Sequence, residues 1–350
     1  MELTAFADVV EAQRIPTLVR LTDNLYAVVF RLMKLVPARH ILRQAESSGL
    51  LTADTTVVET TSGTFGLALA MQCALSGHRL VLVSDPVIDA RLHRQLTHLG
   101  ATVDIVQHPA EHGGFQASRL ARVEEIRAGL PASFCPEQYS NPEQPMSYAL
   151  VADLLWERLG QVDCLIGPVG SGGSMCGTAR HLRQACPDLT AVGVDAHLSV
   201  LFGQPDGHRM LRGLGNSMMP ANLDHTEFDE VHWLDTATAY AATRDLYRSR
   251  ALFMGPTSGA SYFVGSWWAA RHPDAVTVVM LPDEGYRYVD TVYDDVWLAA
   301  NGLGDPTAQR EPTVVTDPRP AGAGWSRMGW ARRTLAEATG SGDPLPAGAL

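Results

Sequence analysis

Two stretches of the chain alternate short, continuously apolar runs with longer amphipathic ones. The first carries TTVVET (Thr55–Thr60), an apolar helix from Phe65 to Ser76, HRLVLVSD (His78–Asp85), a helix near Ile88–Leu99 and ATVDIVQ (Ala101–Gln107). The second carries VDCLIGPV (Val162–Val169), a helix near Met175–Ala185, TAVGVDA (Thr190–Ala196), helices near Thr236–Arg250 and Ser261–Arg271, and AVTVVMLPD (Ala275–Asp283). Apolar strands between amphipathic helices predict parallel sheets covered on both faces. The loop-rich PASFCPEQYSNPEQP (Pro131–Pro145) separates the blocks, which predicts two α/β domains with a cleft between them. Beyond Gly302 the composition shifts to Pro, Gly, Ala and Thr, predicting an extended arm with one short helix around Trp325–Ala336, or partial disorder.

Composition narrows the function. The 350 residues are 46% hydrophobic and 19% charged with a formal net charge of −11, a globular balance. An acidic chain without a basic cluster argues against nucleic acid as a partner. The longest apolar run, GLALAMQCAL (Gly66–Leu75), fits a buried helix and falls short of a membrane span. The opening MELTAFADVVEAQR does not read as a signal peptide, and five cysteines without a CxxC pattern fit reduced thiols. These features predict a cytoplasmic location. The 27 basic residues are 26 arginines and one lysine, Lys34. Codon bias accounts for the arginines. The surviving ammonium is the cation whose chemistry can be tuned and made nucleophilic.

Three turns carry candidate chemistry. VDCLIGPV leads into GSGGS (Gly170, Ser171, Gly172, Gly173, Ser174) and a helix, an arrangement whose converging N–H groups hold phosphate dianions. Its spacing is neither the GxxxxGKS/T of a nucleoside-triphosphate loop nor a GxGxxG dinucleotide turn; a merely tight turn is the competing reading. ETTSGTFG (Glu59–Gly66) offers hydroxyls and N–H groups to a carboxylate, while Thr61 or Ser62 also fits a plain helix N-cap. GPTSGAS (Gly255–Ser261) has the same ingredients and is no GxSxG elbow, so Ser258 is not read as a hydrolase nucleophile. HPAEH (His108–His112) matches a zinc-peptidase spacing, but Pro109 and the glycines after it make it a loop, and no metal is assigned. One lysine, a phosphate-cradling loop and two hydroxyl-rich turns on two α/β domains are what pyridoxal phosphate requires.

The ordered motifs resemble the cysteine synthase/cystathionine β-synthase family of pyridoxal-phosphate enzymes (fold type II, tryptophan synthase β-like) over residues 12–290. RIPTLVRL (Arg14–Leu21) is similar to TPLVRL, ETTSGTFG to EPTSGNTG, and EQYSNP (Glu137–Pro142) to QxxNP. GPVGSGGSMCG (Gly167–Gly177) is similar to GVGTGGTxxG, RGLGNSMMP (Arg212–Pro220) to QGIGxxxxP, GPTSGA to GxSSGA, and LPDEGYRY (Leu281–Tyr288) to LPDxGxRY. In Arg31–Leu51 the AExxGLL end registers Lys34 on the family's lysine, without the flanking Gly-Ser and Asp-Arg of GSxKDR. Thr64 stands where the family has Asn, and Phe65, in place of Thr, is expected to shrink or dry the substrate pocket.

The resemblance implies a fold of two three-layer domains with mainly parallel sheets and a cofactor cleft. The smaller, mobile domain (38–150) would hold the substrate carboxylate. The larger (1–37 plus 151–302) would hold the cofactor phosphate, with 303–350 as a C-terminal extension. It implies Lys34 as Schiff-base lysine and general base, and Lys34, Thr64, Gly170–Ser174, Thr257 and Ser258 as cofactor-binding. Thr61, Ser62, Gly63, Thr64, Gln138 and Gly213 would bind a small amino-acid substrate. Thr257, a neutral hydroxyl facing the pyridine nitrogen, would leave that nitrogen unprotonated. The implied reaction is β-replacement on an O-activated L-serine or L-cysteine through an aminoacrylate, in a homodimer. Alternatives are β-elimination of L-cysteine to sulfide, pyruvate and ammonia, a non-catalytic relative that keeps the fold, and a nucleotide-binding protein using GSGGS.

Overall fold

A computed structural model describes residues 5–61, 63–111, 113–211, 213–304, 309–320 and 322–340. In chain order the first elements are α1 (Val9–Gln13), β1 (Thr17–Arg20), β2 (Leu25–Val29), α2 (Leu35–Ser47), β3 (Thr56–Thr60), α3 (Thr64–Ser76), β4 (Arg79–Ser84) and α4 (Ala90–His98). There follow β5 (Thr102–Ile105), α5 (Gly114–Ala128), β6 (Ser133–Phe134), α6 (Glu143–Met146), α7 (Ala149–Leu159), β7 (Cys164–Pro168), α8 (Gly173–Leu182) and β8 (Thr190–Ala196). The chain continues with β9 (Glu230–Leu234), α9 (Thr236–Arg250), α10 (Pro256–Arg271), β10 (Thr277–Leu281), α11 (Asp295–Ala300), β11 (Thr313–Val314), β12 (Trp325–Gly329) and α12 (Leu335–Thr339).

The chain divides into two compact units, one of Met1–Ile15 and Leu32–Ser147, the other of Pro16–Arg31 and Tyr148–Leu350. The first holds a four-stranded, all-parallel sheet in the order β5-β4-β3-β6. All five residues of β3 are buried, as a strand covered on both faces requires. One face packs on α2 and α3 through Leu35, Leu42, Val57, Leu69 and Leu82. Phe65, in the first turn of α3, belongs to that same buried core.

The second unit holds an eight-stranded sheet, β1-β2-β10-β7-β8-β9-β12-β11, with antiparallel pairs at β1–β2 and β9–β12. This partition departs from the expected boundaries in two places. Met1–Ile15 and Leu32–Pro37, expected with the larger domain, fall in the first unit, while Pro16–Arg31 stays with the second because β2 pairs in parallel with β10, Val28 opposite Met280. The tail is part of the sheet, because β12 pairs with β9 across Trp325 and Leu234. The helix expected around Trp325–Ala336 is therefore corrected to a strand over Trp325–Gly329 and a short helix over Leu335–Thr339. Buried Trp325 donates from Nε1 to Nδ1 of His232 at 2.9 Å, and Arg327 pairs with Glu230 at 2.9 Å.

Candidate functional site

The glycine loop of the second unit starts where β7 ends. The first main-chain bond of α8 runs from the Cys176 N–H to the Gly172 carbonyl at 3.0 Å, so the N–H groups of Gly173, Ser174 and Met175 precede the helical ladder. Such a terminus gathers donors and positive potential for an anion. Gly172 has φ +83°, and a Cβ there would lie 2.6 Å from Leu223 Cα. Only glycine fits both constraints. A Cβ on Gly170 would lie 3.1 Å from the Gly213 carbonyl oxygen, and one on Gly213 would lie 3.6 Å from Thr257 Cγ2. The loop, Gly213 and Thr257 are thus neighbours, held partly by the 2.9 Å bond from Gly215 N–H to the Val169 carbonyl. Arg212 lies outside the described residues.

GPTSGA proves to be a helix start rather than a free turn. Gly255 is the N-cap of α10 and Pro256 its first residue, where a missing N–H costs nothing. Thr257 and Ser258 therefore sit in the first turn, both buried, and the Ser258 hydroxyl has no hydrogen-bond partner among the described residues. An unpaired buried hydroxyl at a helix start is a group awaiting a polar partner. Beside it, a Cβ on Gly255 would lie 2.5 Å from Asp283 Oδ1, and Asp283 accepts from the Tyr288 hydroxyl at 3.0 Å. Burial pushes the Asp283 acid up to about 6.

In the first unit Lys34 is the N-cap residue of α2, half-buried, and makes no side-chain cap bond. Desolvation pushes its ammonium down to about 8 from an ordinary 10.5. An amine so placed carries a sizeable neutral, nucleophilic fraction near neutrality. The β3–α3 turn is ordered by Thr61, whose Oγ1 accepts from the N–H groups of Gly63 and Gly66 at 3.1 Å each. Gly63 is the N-cap proper, and Thr61 reaches over it to the third helical N–H. Gly66 must be glycine, since a Cβ would lie 2.2 Å from Thr61 Cγ2. Thr64 follows, half-buried, as the first residue of α3; Ser62 lies outside the described residues. Gln138 is buried in the turn after β6.

One acid just before this turn went unassigned by motif reading. Glu59 is the penultimate residue of β3, a strand whose every residue is buried, and only 1% of it is exposed. A carboxylate within a continuously apolar strand was the available signal, since burying it demands donors. Its acid is pushed up to about 7 by desolvation. HPAEH lies between β5 and α5, with His112 outside the described residues.

Residues 33–283 match the family model of pyridoxal-phosphate dependent enzymes. This chain belongs to the pyridoxal-phosphate dependent enzymes. A curated relative, N-(2-amino-2-carboxyethyl)-L-glutamate synthase of Cupriavidus metallidurans, is 37% identical over 290 residues, covering 80% of this chain and 84% of the relative. Among solved structures, an O-acetylserine dependent cystathionine β-synthase from Helicobacter pylori has a TM-score of 0.76 at 23% identity, over 83% of this chain and 99% of that one. A hydrogen sulfide-producing enzyme from Fusobacterium nucleatum has a TM-score of 0.75 at 24% identity, over 81% and 100%. These likenesses establish the fold type II architecture.

The residues of this pyridoxal-phosphate enzyme fit the group its family uses. The cofactor needs a reactive amine, an anion cradle and a polar contact for its ring. Lys34 with its depressed ammonium, the N–H groups before α8 and the unpaired Ser258 hydroxyl have those chemistries.

Proposed function

We propose that this pyridoxal-phosphate enzyme catalyses β-replacement on an O-activated L-serine or L-cysteine, joining a nucleophile to the β-carbon of an alanine skeleton. The observation that carries this reading is the 37% identity to the Cupriavidus synthase. Its name places a 2-amino-2-carboxyethyl group, which is alanine bonded through its β-carbon, on L-glutamate.

In this reading Lys34 would hold the cofactor covalently through its amine, and the N–H groups of the Gly170–Ser174 loop would hold the phosphate. Thr64, Thr257 and Ser258 would contact the ring, and the neutral hydroxyls would leave its nitrogen unprotonated. Bound pyridoxal phosphate supplies an electron sink for the charge left at Cα. Thr61, Ser62, Gly63, Thr64, Gln138 and Gly213 bind the substrate, orienting its carboxylate. The Lys34 amine would take the Cα proton, a role suited to a group tuned to about 8. The leaving group departs from the β-carbon, and the incoming nucleophile takes its place.

Five free cysteines support a reducing, cytoplasmic setting. No helix among the described residues is long and apolar enough to cross a membrane. The family resemblance supports a homodimer, which sedimentation would test. The reaction itself is tested by incubating the holoenzyme with O-phospho-L-serine or O-acetyl-L-serine and either L-glutamate or sulfide. Consumption of the serine ester with a new amino acid formed is the expected result. Sulfide and pyruvate from L-cysteine alone, with no replacement product from any pair, would contradict it.

A further inference from the structure

The buried Glu59 carboxylate joins the two segments that, in the reading above, hold the substrate carboxylate. Its Oε1 accepts from the Thr60 N–H at 2.7 Å and its Oε2 from the Gln138 N–H at 3.2 Å. The Glu137 N–H adds a third main-chain donor. The first donor, Thr60, ends β3 and leads into the β3–α3 turn, whose first residue is pinned by the 2.9 Å bond from the Thr61 N–H to the Val83 carbonyl. The others belong to the turn after β6, where Glu137 adopts φ +51°. That left-handed conformation is uncommon for a residue with a Cβ and needs fixed partners to persist. Its carbonyl accepts from Ser140 and Asn141 N–H at 3.0 and 2.8 Å, closing the turn that carries Gln138. β6 is only two residues long and pairs with β3 at Thr56 and Val57, so its ladder ends short of both turns. Beyond that ladder, Glu59 ties the two turns directly.

We infer that Glu59 is the positioning residue of the substrate-carboxylate site, setting the Thr61–Thr64 turn and Gln138 in register through one shared carboxylate. The inference rests on the proposed roles of those two segments and extends them to a group that does not touch the substrate. Replacing one carboxylate oxygen by an amide NH2 sets a donor against main-chain donors, so Glu59→Gln breaks the tie while nearly conserving volume.

The test measures binding of L-alanine, which has a carboxylate but no leaving group, and of L-alaninamide, which lacks the carboxylate. Calorimetry on the holoenzyme gives both dissociation constants. Wild type should prefer L-alanine. In Glu59→Gln the affinity for L-alanine should fall about tenfold, with L-alaninamide affinity and the visible cofactor absorbance unchanged. Should Glu59→Gln not fold, the same loss is expected in Glu59→Asp, whose shorter side chain cannot span both N–H groups. Unchanged L-alanine affinity, or equal weakening of both probes, would overturn the positioning role and leave the proposed carboxylate site standing. A wild type that binds the two probes alike would overturn the carboxylate site and the positioning role together.

Discussion

Lys34 combines two properties rarely found in one lysine: it is the only one in the sequence, and its ammonium is depressed to about 8 by burial. Desolvation disfavours the charged form, so the neutral amine gains as pH rises through 8 rather than through the ordinary 10.5. Apoprotein mixed with pyridoxal phosphate should therefore develop visible absorbance at a rate that climbs from pH 7 and levels above about 8. A rate still climbing steeply at pH 10 would show an untuned lysine. The count of lysines made this residue legible in the sequence without any spatial information. Glu59 was not legible in the same way. It stood inside a quoted motif, but its donors come from Thr60 and from a turn 79 residues further on.

At the scale of elements, the glycine loop before α8 was readable because backbone constraints are local. Gly172 is its strictest position. Gly172→Ala would force a Cβ to within 2.6 Å of Leu223 Cα at a φ of +83°. A loss of about 2 kcal/mol in stability is expected, together with weaker phosphate retention. Denaturant unfolding and cofactor release on dialysis measure the two effects, and an unchanged variant would show that the loop tolerates a side chain. The tail was misread because its partner is remote. WSRMG carries no strand signal strong enough alone, and β12 forms because β9 offers an antiparallel edge and His232 a partner for Trp325. Trp325→Ala should cost about 3–5 kcal/mol, read from the unfolding midpoint. A cost below about 1 kcal/mol would mean that the tail decorates the sheet rather than completes it.

For the whole molecule, the alternation of apolar strands and amphipathic helices was enough to predict two α/β units with mainly parallel sheets. Where each unit begins was beyond that pattern, since β2 belongs to the sheet of β10 near the far end of the described chain. Function was legible to the level of cofactor and family, because the lysine, the loop and the hydroxyl turns are each short and local. The nucleophile was not, because no single local motif encodes it. The central claim is that Lys34 holds pyridoxal phosphate. It is tested most directly by the visible spectra of wild type and Lys34→Ala protein, each equilibrated with the cofactor and freed of excess. Wild type should retain a visible band that Lys34→Ala lacks, with both variants folded by circular dichroism. A colourless wild type, or an equal band in Lys34→Ala, would contradict the account.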